Sequence, residues 1–364
     1  MKENKNKIIV LLFAAIFFGM SILSWIKPSK DYSITERREL EQMPEISMKN
    51  ISNGNFMTDF EKYALDQFPF REEFRNIKAL TSKYILRKSD NNNIYIFDEY
   101  AVKMEYPLNK DSIKYASEKF NNIYKKYLNE NNNIYLSIIP DKNYFTAKDS
   151  NHLIIEYDLF FETMKNEMPY AKYIDITNLL DINDYYKTDI HWKQEEIIDV
   201  AKEISSNIGI ELNNNYEVKT LTDKFYGVYF GQSALSLPGE ELKYLTNETL
   251  ENCIVYDYEN NKNINIYDFK KASKNDPYDL FLSGPISLLK IENPNAKTNK
   301  ELIVFRDSFG SSFAPLLVDG YKTITLIDIR YIQSNLLNKF VDFNNKDILF
   351  LYSTTVLNNS ETFK

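Results

Sequence analysis

The stretch that decides the fold is Leu302-Ile303-Val304-Phe305-Arg306-Asp307-Ser308-Phe309-Gly310. Its first four residues form a continuous apolar run, which is typical of a strand buried on both faces of a sheet. Ser308 follows this strand and precedes a predicted helix, whose start we place at Ser311 and Ser312, with Pro315 in its first turn. Open α/β sheets carry their functional sites at such carboxyl ends of strands. The stretch therefore predicts an α/β sheet with a serine at the edge where sites occur.

Apolar runs and helical patterns alternate along much of the remaining chain. Such an alternation is typical of a parallel sheet with helices on both faces, so the fold class is α/β. The predicted strands are 134–139, 173–176, 302–305, 323–327 and 348–352, and the predicted helices are 112–129, 159–168, 193–208 and 312–318. Residues 211–295 break the alternation, and we interpret them as an inserted β-containing segment with a hairpin at about 253–267.

The start of the chain has the composition of a membrane-spanning helix. Three lysines precede an uninterrupted apolar run over residues 8–26. A run of this length can cross a bilayer as a helix, and it exceeds the hydrophobic part of most signal peptides. No small-residue cleavage motif follows it, and a cleaved signal peptide is the alternative. We predict a cytoplasmic tail over 1–7, one transmembrane signal anchor over 8–26, and an extracytoplasmic location for everything after Lys27.

A stalk and an N-terminal helical segment are predicted over residues 27–90. Apolar residues recur at helical spacing between positions 56 and 86, and the segment Phe68-Pro69-Phe70 interrupts them. We therefore predict two helices joined by a turn. Residues 93–104 have the pattern of a small hairpin. We assign residues 91–364 to one large domain, which includes the insertion.

The composition excludes several classes of function. The net charge of −8 argues against a nucleic-acid partner, which requires a basic surface. Cys253 is the only cysteine, so no intramolecular disulfide is possible. Two histidines and one cysteine supply a zinc site poorly, and the sequence has no glycine-rich phosphate loop. We expect no metal, no cofactor and no nucleic-acid partner.

One of the two histidines lies in Thr188-Asp189-Ile190-His191-Trp192. In an extended segment residues two apart point to the same side, so Asp189 and His191 can face one cleft. A carboxylate that orients an imidazole, which takes the proton of a serine, is the minimum set for a hydroxyl nucleophile. If Ser308 lies beside His191, the chain is equipped for acyl transfer. The alternatives are a surface histidine before a helix and a serine that only caps a turn, while His152 has no acid at a suitable spacing.

Four further residues are candidates for contact with substrate. Arg306 and Arg330 lie near the carboxyl ends of two predicted strands. There they can bind an anionic group, and structural ion pairs are the alternative. Trp192 can serve as a substrate platform or as a packing anchor in the core. Tyr331 follows Arg330 and is included with these candidates.

With these segments the sequence resembles the DHHW proteins, a family related to the SGNH-hydrolase-like domains of alginate O-acetyltransferases. The segments that carry the resemblance are Tyr186-Lys187-Thr188-Asp189-Ile190-His191-Trp192, Arg306-Asp307-Ser308-Phe309-Gly310, Ile327-Asp328-Ile329-Arg330-Tyr331, Ile139-Pro140-Asp141-Lys142, Phe68-Pro69-Phe70-Arg71 and Pro277-Tyr278-Asp279-Leu280-Phe281-Leu282. They extend over about residues 35–355. Two positions depart from the family. Ile190 stands where the family name implies a second histidine, and Pro285 has no amide hydrogen to offer an oxyanion.

The resemblance implies an SGNH-hydrolase-like three-layer α/β/α catalytic domain. It implies Ser308 as nucleophile, His191 as base and Asp189 as the residue that orients it. The implied function is a membrane-anchored, extracytoplasmic O-acyltransferase or esterase, O-acetyl in the simplest case, which acts on a cell-surface or exported polysaccharide. A membrane-bound O-acyltransferase would supply the acyl donor. The alternatives are a non-catalytic glycan-binding or scaffold protein of a cell-envelope acylation complex and, more remotely, a metal-dependent hydrolase.

Overall fold

The computed structural model describes residues 2–213, 215–274 and 276–364, and the chain divides into two compact units. The first unit comprises Met1–Asn92 and Phe230–Ser236, and the second comprises Asn93–Tyr229 and Leu237–Lys364. Three residues lie outside the described ones: Met1 of the predicted cytoplasmic tail, and Asn214 and Asn275 of the predicted insertion.

The described residues form helices and strands throughout both units. The α-helices are α1 (Lys2–Ile26), α2 (Met48–Ser52), α3 (Asn55–Asp66), α4 (Arg71–Leu80), α5 (Lys110–Tyr127), α6 (Lys142–Ser150), α7 (Tyr157–Glu167), α8 (Ile198–Ile208), α9 (Val228–Ser233), α10 (Glu248–Asn252), α11 (Phe269–Ala272), α12 (Phe309–Phe313) and α13 (Thr354–Leu357). The strands are β1 (Tyr32–Ser33), β2 (Arg38–Glu39), β3 (Ile94–Phe97), β4 (Tyr100–Lys103), β5 (Asn133–Ile139), β6 (Lys172–Tyr173), β7 (Glu217–Phe225), β8 (Glu240–Thr246), β9 (Ile254–Asp257), β10 (Lys262–Ile264), β11 (Leu288–Glu292), β12 (Glu301–Arg306), β13 (Thr323–Ile327) and β14 (Asp347–Ser353). A π-helical turn, Thr81–Ile85, continues α4.

A central sheet of eight described strands organises the second unit, in the order β10-β9-β11-β13-β12-β14-β5-β6. The strands from β13 to β6 are parallel, whereas β11, β9 and β10 add antiparallel strands at one edge. These three edge strands come from residues 254–292, within the predicted insertion. Part of that segment therefore extends the central sheet, and β7 pairs with β8 in a separate two-stranded sheet.

Helices cover both faces of the central sheet. On β14, Leu349 and Leu351 point into the core beside α8 and α12, whereas Ile348 and Phe350 point into the core beside α5 and α7. Successive residues of a strand point to opposite faces, so a strand buried on both faces is apolar at every position. The predicted three-layer α/β/α fold of the SGNH-hydrolase-like type is confirmed.

The turn after β12 starts its helix earlier than the sequence predicts. Helix α12 begins at Phe309 and not at Ser312, and Pro315 lies in the 3-10 helix Ala314–Gly320 that follows it. The reason is Asp307, whose Oδ1 accepts a hydrogen bond from the amide of Phe309 at 3.0 Å. A carboxylate in this position satisfies an otherwise unpaired amide at the start of a helix.

In the first unit, α1 is long and apolar enough to cross a membrane. The most apolar 18 residues within Asn4–Ile26 have a mean hydropathy of 2.5, and none of them is buried within the protein. A signal sequence has the same properties. Helices α3 and α4 are joined through Phe68-Pro69-Phe70, as predicted, and β1 with β2 gives ordered structure to part of the predicted stalk.

Candidate active site

The structure brings together the three residues that the sequence singled out. The Nε2 atom of His191 lies 2.8 Å from Oγ of Ser308, and its Nδ1 atom lies 2.6 Å from Oδ1 of Asp189. Asp189 and His191 are buried, whereas Ser308 is half-buried. Because β12 ends in this turn, Ser308 stands at the carboxyl edge of the parallel strands.

The carboxylate of Asp189 is held at both oxygens. Oδ1 also accepts the backbone amide of His191 at 3.1 Å, and Oδ2 accepts the amide of Val228 at 2.9 Å. A carboxylate is an acceptor, so Nδ1 of His191 is the protonated ring nitrogen in a neutral imidazole. Nε2 is then left as the acceptor for the hydroxyl hydrogen of Ser308.

Gly227 permits the close approach of another loop to Asp189. A Cβ atom at position 227 would lie only 2.3 Å from both Cα and Cβ of Asp189. The amide of Gly227 donates to Oγ1 of Thr188 at 2.8 Å. Only a residue without a side chain fits here. Gly227 is a site residue that the sequence motifs do not indicate. The scarcity of glycine, with only nine in the chain, is the signal that could have identified it.

Glu240 and Lys142 fix the backbone just before Asp189. The carboxylate of Glu240 accepts the amides of Lys187 at 2.9 Å and Thr188 at 3.0 Å. From the other side, Nζ of Lys142 donates to the carbonyl oxygens of Tyr186 at 3.0 Å and Lys187 at 3.2 Å. Burial lowers the pKa of Lys142 to about 7, although two nearby carboxylates oppose the shift. The amine can therefore lose its charge near neutral pH and still donate both hydrogen bonds.

A buried tyrosine supports the imidazole ring. The ring of Tyr278 stacks on His191, with centroids 3.8 Å apart and planes inclined by 7°. Its hydroxyl donates to Oγ of Ser312 at 2.9 Å, and Nε1 of Trp192 lies 3.0 Å from the same oxygen. Burial raises the pKa of Tyr278 well above its usual value, so the phenol stays neutral. In the sequence, Tyr278 is only part of a segment that carries the family resemblance, and no role is predicted for it.

Asp307 fixes the turn that carries Ser308. Its Oδ2 accepts both the amide and the hydroxyl of Ser353, each at 2.7 Å, and so ties the end of β12 to the end of β14. Ser308 itself has φ −63° and ψ −24°, a right-handed helical conformation. The serine is therefore held by hydrogen bonds of its neighbours and not by a strained backbone.

Two of the predicted substrate contacts are wrong, because the side chains have no exposed surface. Arg306 is 0% exposed, donates to the carbonyl of Asp307 at 3.2 Å and to Ser311 Oγ at 3.0 Å, and lies 3.9 Å from Asp328. Trp192 is also 0% exposed and packs in the core. The structural alternatives, an ion pair and a packing anchor, describe these residues.

The other two predicted contacts differ from one another. Arg330 forms a bidentate pair with Asp328 at 2.9 and 2.6 Å. Burial opposes its charge, but the hydrogen bonds that Arg330 donates to Asp328 raise the pKa of Arg330 overall. Tyr331 is 46% exposed, and the guanidinium of Arg330 lies 5.4 Å from its ring centroid. Tyr331 is thus accessible to a ligand, whereas Arg330 is committed to Asp328.

Backbone amides in the turn before Pro285 donate hydrogen bonds within the protein. Leu282, Ser283 and Gly284 all have positive φ, at 54°, 60° and 77°. The amide of Leu282 donates to Ile266 O at 2.8 Å, and that of Gly284 donates to Phe281 O at 3.2 Å. These two amides are therefore engaged inside the protein.

The remaining candidates for catalytic chemistry do not join this site. The second histidine, His152, stacks on Tyr95 with ring centroids 3.7 Å apart. Among the described residues there is no group of three or more His, Cys, Asp or Glu side chains that could hold a metal ion.

Comparison with known proteins supports the fold. No protein-family model matches the chain, and no curated protein matches it. The three-layer α/β/α fold agrees with the SGNH-like type that the sequence predicts. The structure is similar to that of a DHHW family protein from Eubacterium siraeum, with a TM-score of 0.61, 18% identity, and coverage of 75% of this chain and 95% of that one.

Two further solved structures match the chain. Bacillus cereus PatB1 with a sulfonyl adduct gives a TM-score of 0.58 at 19% identity, covering 72% of this chain and 94% of that one. The O-acetyltransferase domain of Pseudomonas putida AlgJ gives a TM-score of 0.45 at 10% identity, covering 73% of this chain and 92% of that one. The likeness to the DHHW protein and PatB1 shows a shared fold, in agreement with the sequence resemblance.

Proposed function

We propose that the chain is a serine-dependent O-acyltransferase or esterase, O-acetyl in the simplest case, that acts on a cell-surface or exported polysaccharide. One observation supports this most directly: His191 lies between Ser308 and Asp189, with hydrogen-bond distances of 2.8 and 2.6 Å. A serine, an imidazole and a buried carboxylate in this order form the arrangement that activates a hydroxyl for attack on acyl groups.

The reaction has two steps. Oγ of Ser308 attacks the acyl carbonyl of the donor while its proton passes to Nε2 of His191, and Asp189 stabilises the imidazolium through Nδ1–H. The amide of Ser308 supports the oxyanion. Collapse of the tetrahedral intermediate breaks the bond to the donor, whose leaving oxygen takes the proton from His191, and the acyl group stays on Ser308. In the second step His191 deprotonates a sugar hydroxyl, whose oxygen attacks the acyl carbon of the acyl-enzyme. The bond between that carbon and Oγ of Ser308 then breaks, and Oγ takes the proton from His191. Water in place of the sugar gives hydrolysis.

The exposed ring of Tyr331 offers an apolar face for a sugar. Of the four predicted contact residues, Tyr331 has the most exposed side chain. An aromatic side chain exposes a large apolar face together with a polar hydroxyl, and both kinds of group occur on a sugar ring. Tyr331 is therefore the residue that we propose for contact with the sugar.

The proposed location is the cell membrane, with the catalytic domain outside the cytoplasm. The length and composition of α1 support a single-pass anchor. Anchoring would keep the domain close to an exported polysaccharide and to a membrane-bound O-acyltransferase that delivers the acyl group.

The test uses the full-length protein in detergent micelles or nanodiscs, with an aryl acetate as donor. Ser308→Ala and His191→Ala should each lower kcat by on the order of 10⁴-fold or more, and the double variant should lose little further activity. His152→Ala is the matched control, because it removes the other histidine. PatB1, which has the same fold, was solved with a sulfonyl adduct. A sulfonyl fluoride is therefore a suitable probe, and mass spectrometry should find its adduct on Ser308.

Two results would count against the proposal. Hydrolysis that survives Ser308→Ala unchanged would remove the serine from the mechanism. A wild-type protein with neither turnover nor adduct, tested with acetylated glycans as well, would favour the glycan-binding or scaffold function.

A further inference from the structure

Helix α4 and its π-helical continuation expose an apolar stripe to solvent. Phe70 directly before the helix, Phe74 and Ile77 within it, and Tyr84 on the π-helical turn are 56%, 50%, 58% and 67% exposed. We refer to these four residues as the Phe70–Tyr84 stripe. Contiguous apolar side chains of this size on a surface are typical of a site that binds a partner or a membrane.

The opposite side of α4 packs its charges inward. Arg71 and Arg75 lie 2.5 and 3.2 Å from the carboxylate of Glu36, and Arg75 also donates to the carbonyl of Gly231 at 2.6 Å. An amphipathic helix on a water-soluble surface normally buries its apolar side and exposes its charged side. In α4 the order is reversed. The arrangement therefore favours an apolar environment beside the exposed aromatic and aliphatic side chains.

The stripe begins beside the end of the apolar helix α1. The backbone of Lys30 and the side-chain amide of Gln67 exchange two hydrogen bonds, each 2.9 Å long. Lys30 comes shortly after the last residue of α1, and Gln67 comes shortly before Phe70. A cavity of 580 Å³ is lined by Leu23 and Lys27 on α1 and its end together with Phe68 and Phe70.

Exposed lysines flank the stripe. Lys78, Lys83 and Lys88 are exposed, and the ammonium of Lys83 lies 5.4 Å from the ring centroid of Tyr84. A helix with apolar aromatic and aliphatic residues on one side and lysines beside them is the pattern of a segment that lies in the plane of an anionic membrane surface.

We propose that the Phe70–Tyr84 stripe rests on the bilayer that α1 crosses, with its apolar side chains at the boundary of headgroups and acyl chains. The occupant of the surface is anionic phospholipid. This proposal rests on the membrane anchor described under the proposed function. The contact would make the first unit a two-point attachment, one point across the bilayer and one along its surface.

The test is spin-label accessibility in full-length protein, reconstituted in vesicles of phosphatidylglycerol and phosphatidylcholine in equal amounts. Cys253, the only cysteine, is replaced by alanine, and single labels are placed at Ile77→Cys and Phe74→Cys. Asn76→Cys is the matched control on the same helix, since it points away from the stripe. Circular dichroism and turnover of the aryl acetate confirm that each labelled protein is folded.

At positions 74 and 77 the label should collide with oxygen, which concentrates in lipid, several-fold more than with a water-soluble nickel complex. At position 76 the preference should be reversed. Access of nickel to all three labels overturns the proposal, and so does shielding of 74 and 77 from both reagents, which would indicate a protein partner or a second copy of the chain. Resistance of the protein to carbonate extraction tests the anchor separately, so either claim can fail alone.

Discussion

Gly227→Ala should disable the candidate site without touching any of its three reacting side chains. The new Cβ would lie 2.3 Å from Cα and Cβ of Asp189 and 2.4 Å from its amide nitrogen. Ordinary contacts of a Cβ begin at 3.4 Å, so the two segments must move apart by about 1.1 Å (3.4 minus 2.3). None of these atoms belongs to a flexible side chain that can rotate away.

The magnitude follows from the geometry of the pair. The hydrogen bond of 2.6 Å between Asp189 and His191 would be broken by a displacement of this size. A misplacement of 1 Å costs about 10²-fold in rate, and overpacking costs about 1–3 kcal/mol of stability. We therefore expect kcat to fall by about two orders of magnitude in a protein that still folds.

Two measurements check this expectation. Steady-state kinetics on an aryl acetate report kcat, and the downfield proton resonance of the His191 imidazole reports the bond to Asp189 without any substrate. Gly239→Ala is the control, because its Cβ would meet the ring of Tyr226, which is 40% exposed and can move. Wild-type kinetics and an unchanged resonance in Gly227→Ala would refute the reasoning.

Three further substitutions test the surroundings of the site. Lys142→Met should remove the part of the pH dependence of the free energy of unfolding that comes from this amine. Between pH 7 and pH 10.5 the unfolded chain binds a proton that the folded amine has released, so wild-type stability rises with pH there. Urea unfolding across this range should show the variant losing a slope of up to about 1.4 kcal/mol per pH unit, and equal slopes would contradict it. Tyr278→Leu should lower kcat by up to about tenfold through loss of a stacked pair worth about 0.5–1.5 kcal/mol, with Tyr278→Phe much less affected. Asp307→Asn should lower the free energy of unfolding by about 1–3 kcal/mol, because an amide N–H would face the donors of Ser353, and urea titration measures it.

The fold could be predicted wherever one local pattern determined an element. The strands at the centre of the sheet are apolar on both faces, and the helices beside them have clear amphipathic spacing. The antiparallel edge could be predicted only in part: β9 and β10 form a hairpin of neighbouring residues, whereas β11 joins the sheet by pairing with the distant strands β9 and β13. Sequence spacing contains no information about which strand a given strand will pair with. The early start of α12 depended on the side chain of Asp307, which acts across the turn and onto β14.

The residues of the candidate site also divide into those that the sequence could indicate and those that it could not. Asp189, His191 and Ser308 could be proposed because each type has a known use and the chain holds few histidines. Lys142 and Glu240 could not be recognised as site residues, because a lysine or glutamate in a sequence is normally a solvated surface residue. Arg306 was misassigned for the same reason, since nothing in its local sequence shows that Asp328 and Ser311 surround it.

The relaxed backbone at Ser308 has a practical consequence. Alanine adopts a right-handed helical conformation at no cost, and the neighbouring Asp307 holds the turn without help from the serine hydroxyl. Ser308→Ala should therefore preserve the shape of the candidate active site while preventing turnover of a bound ligand. Such an inactive protein, immobilised and exposed to fractionated envelope glycans, is a reagent for capturing the polysaccharide that we propose as its substrate.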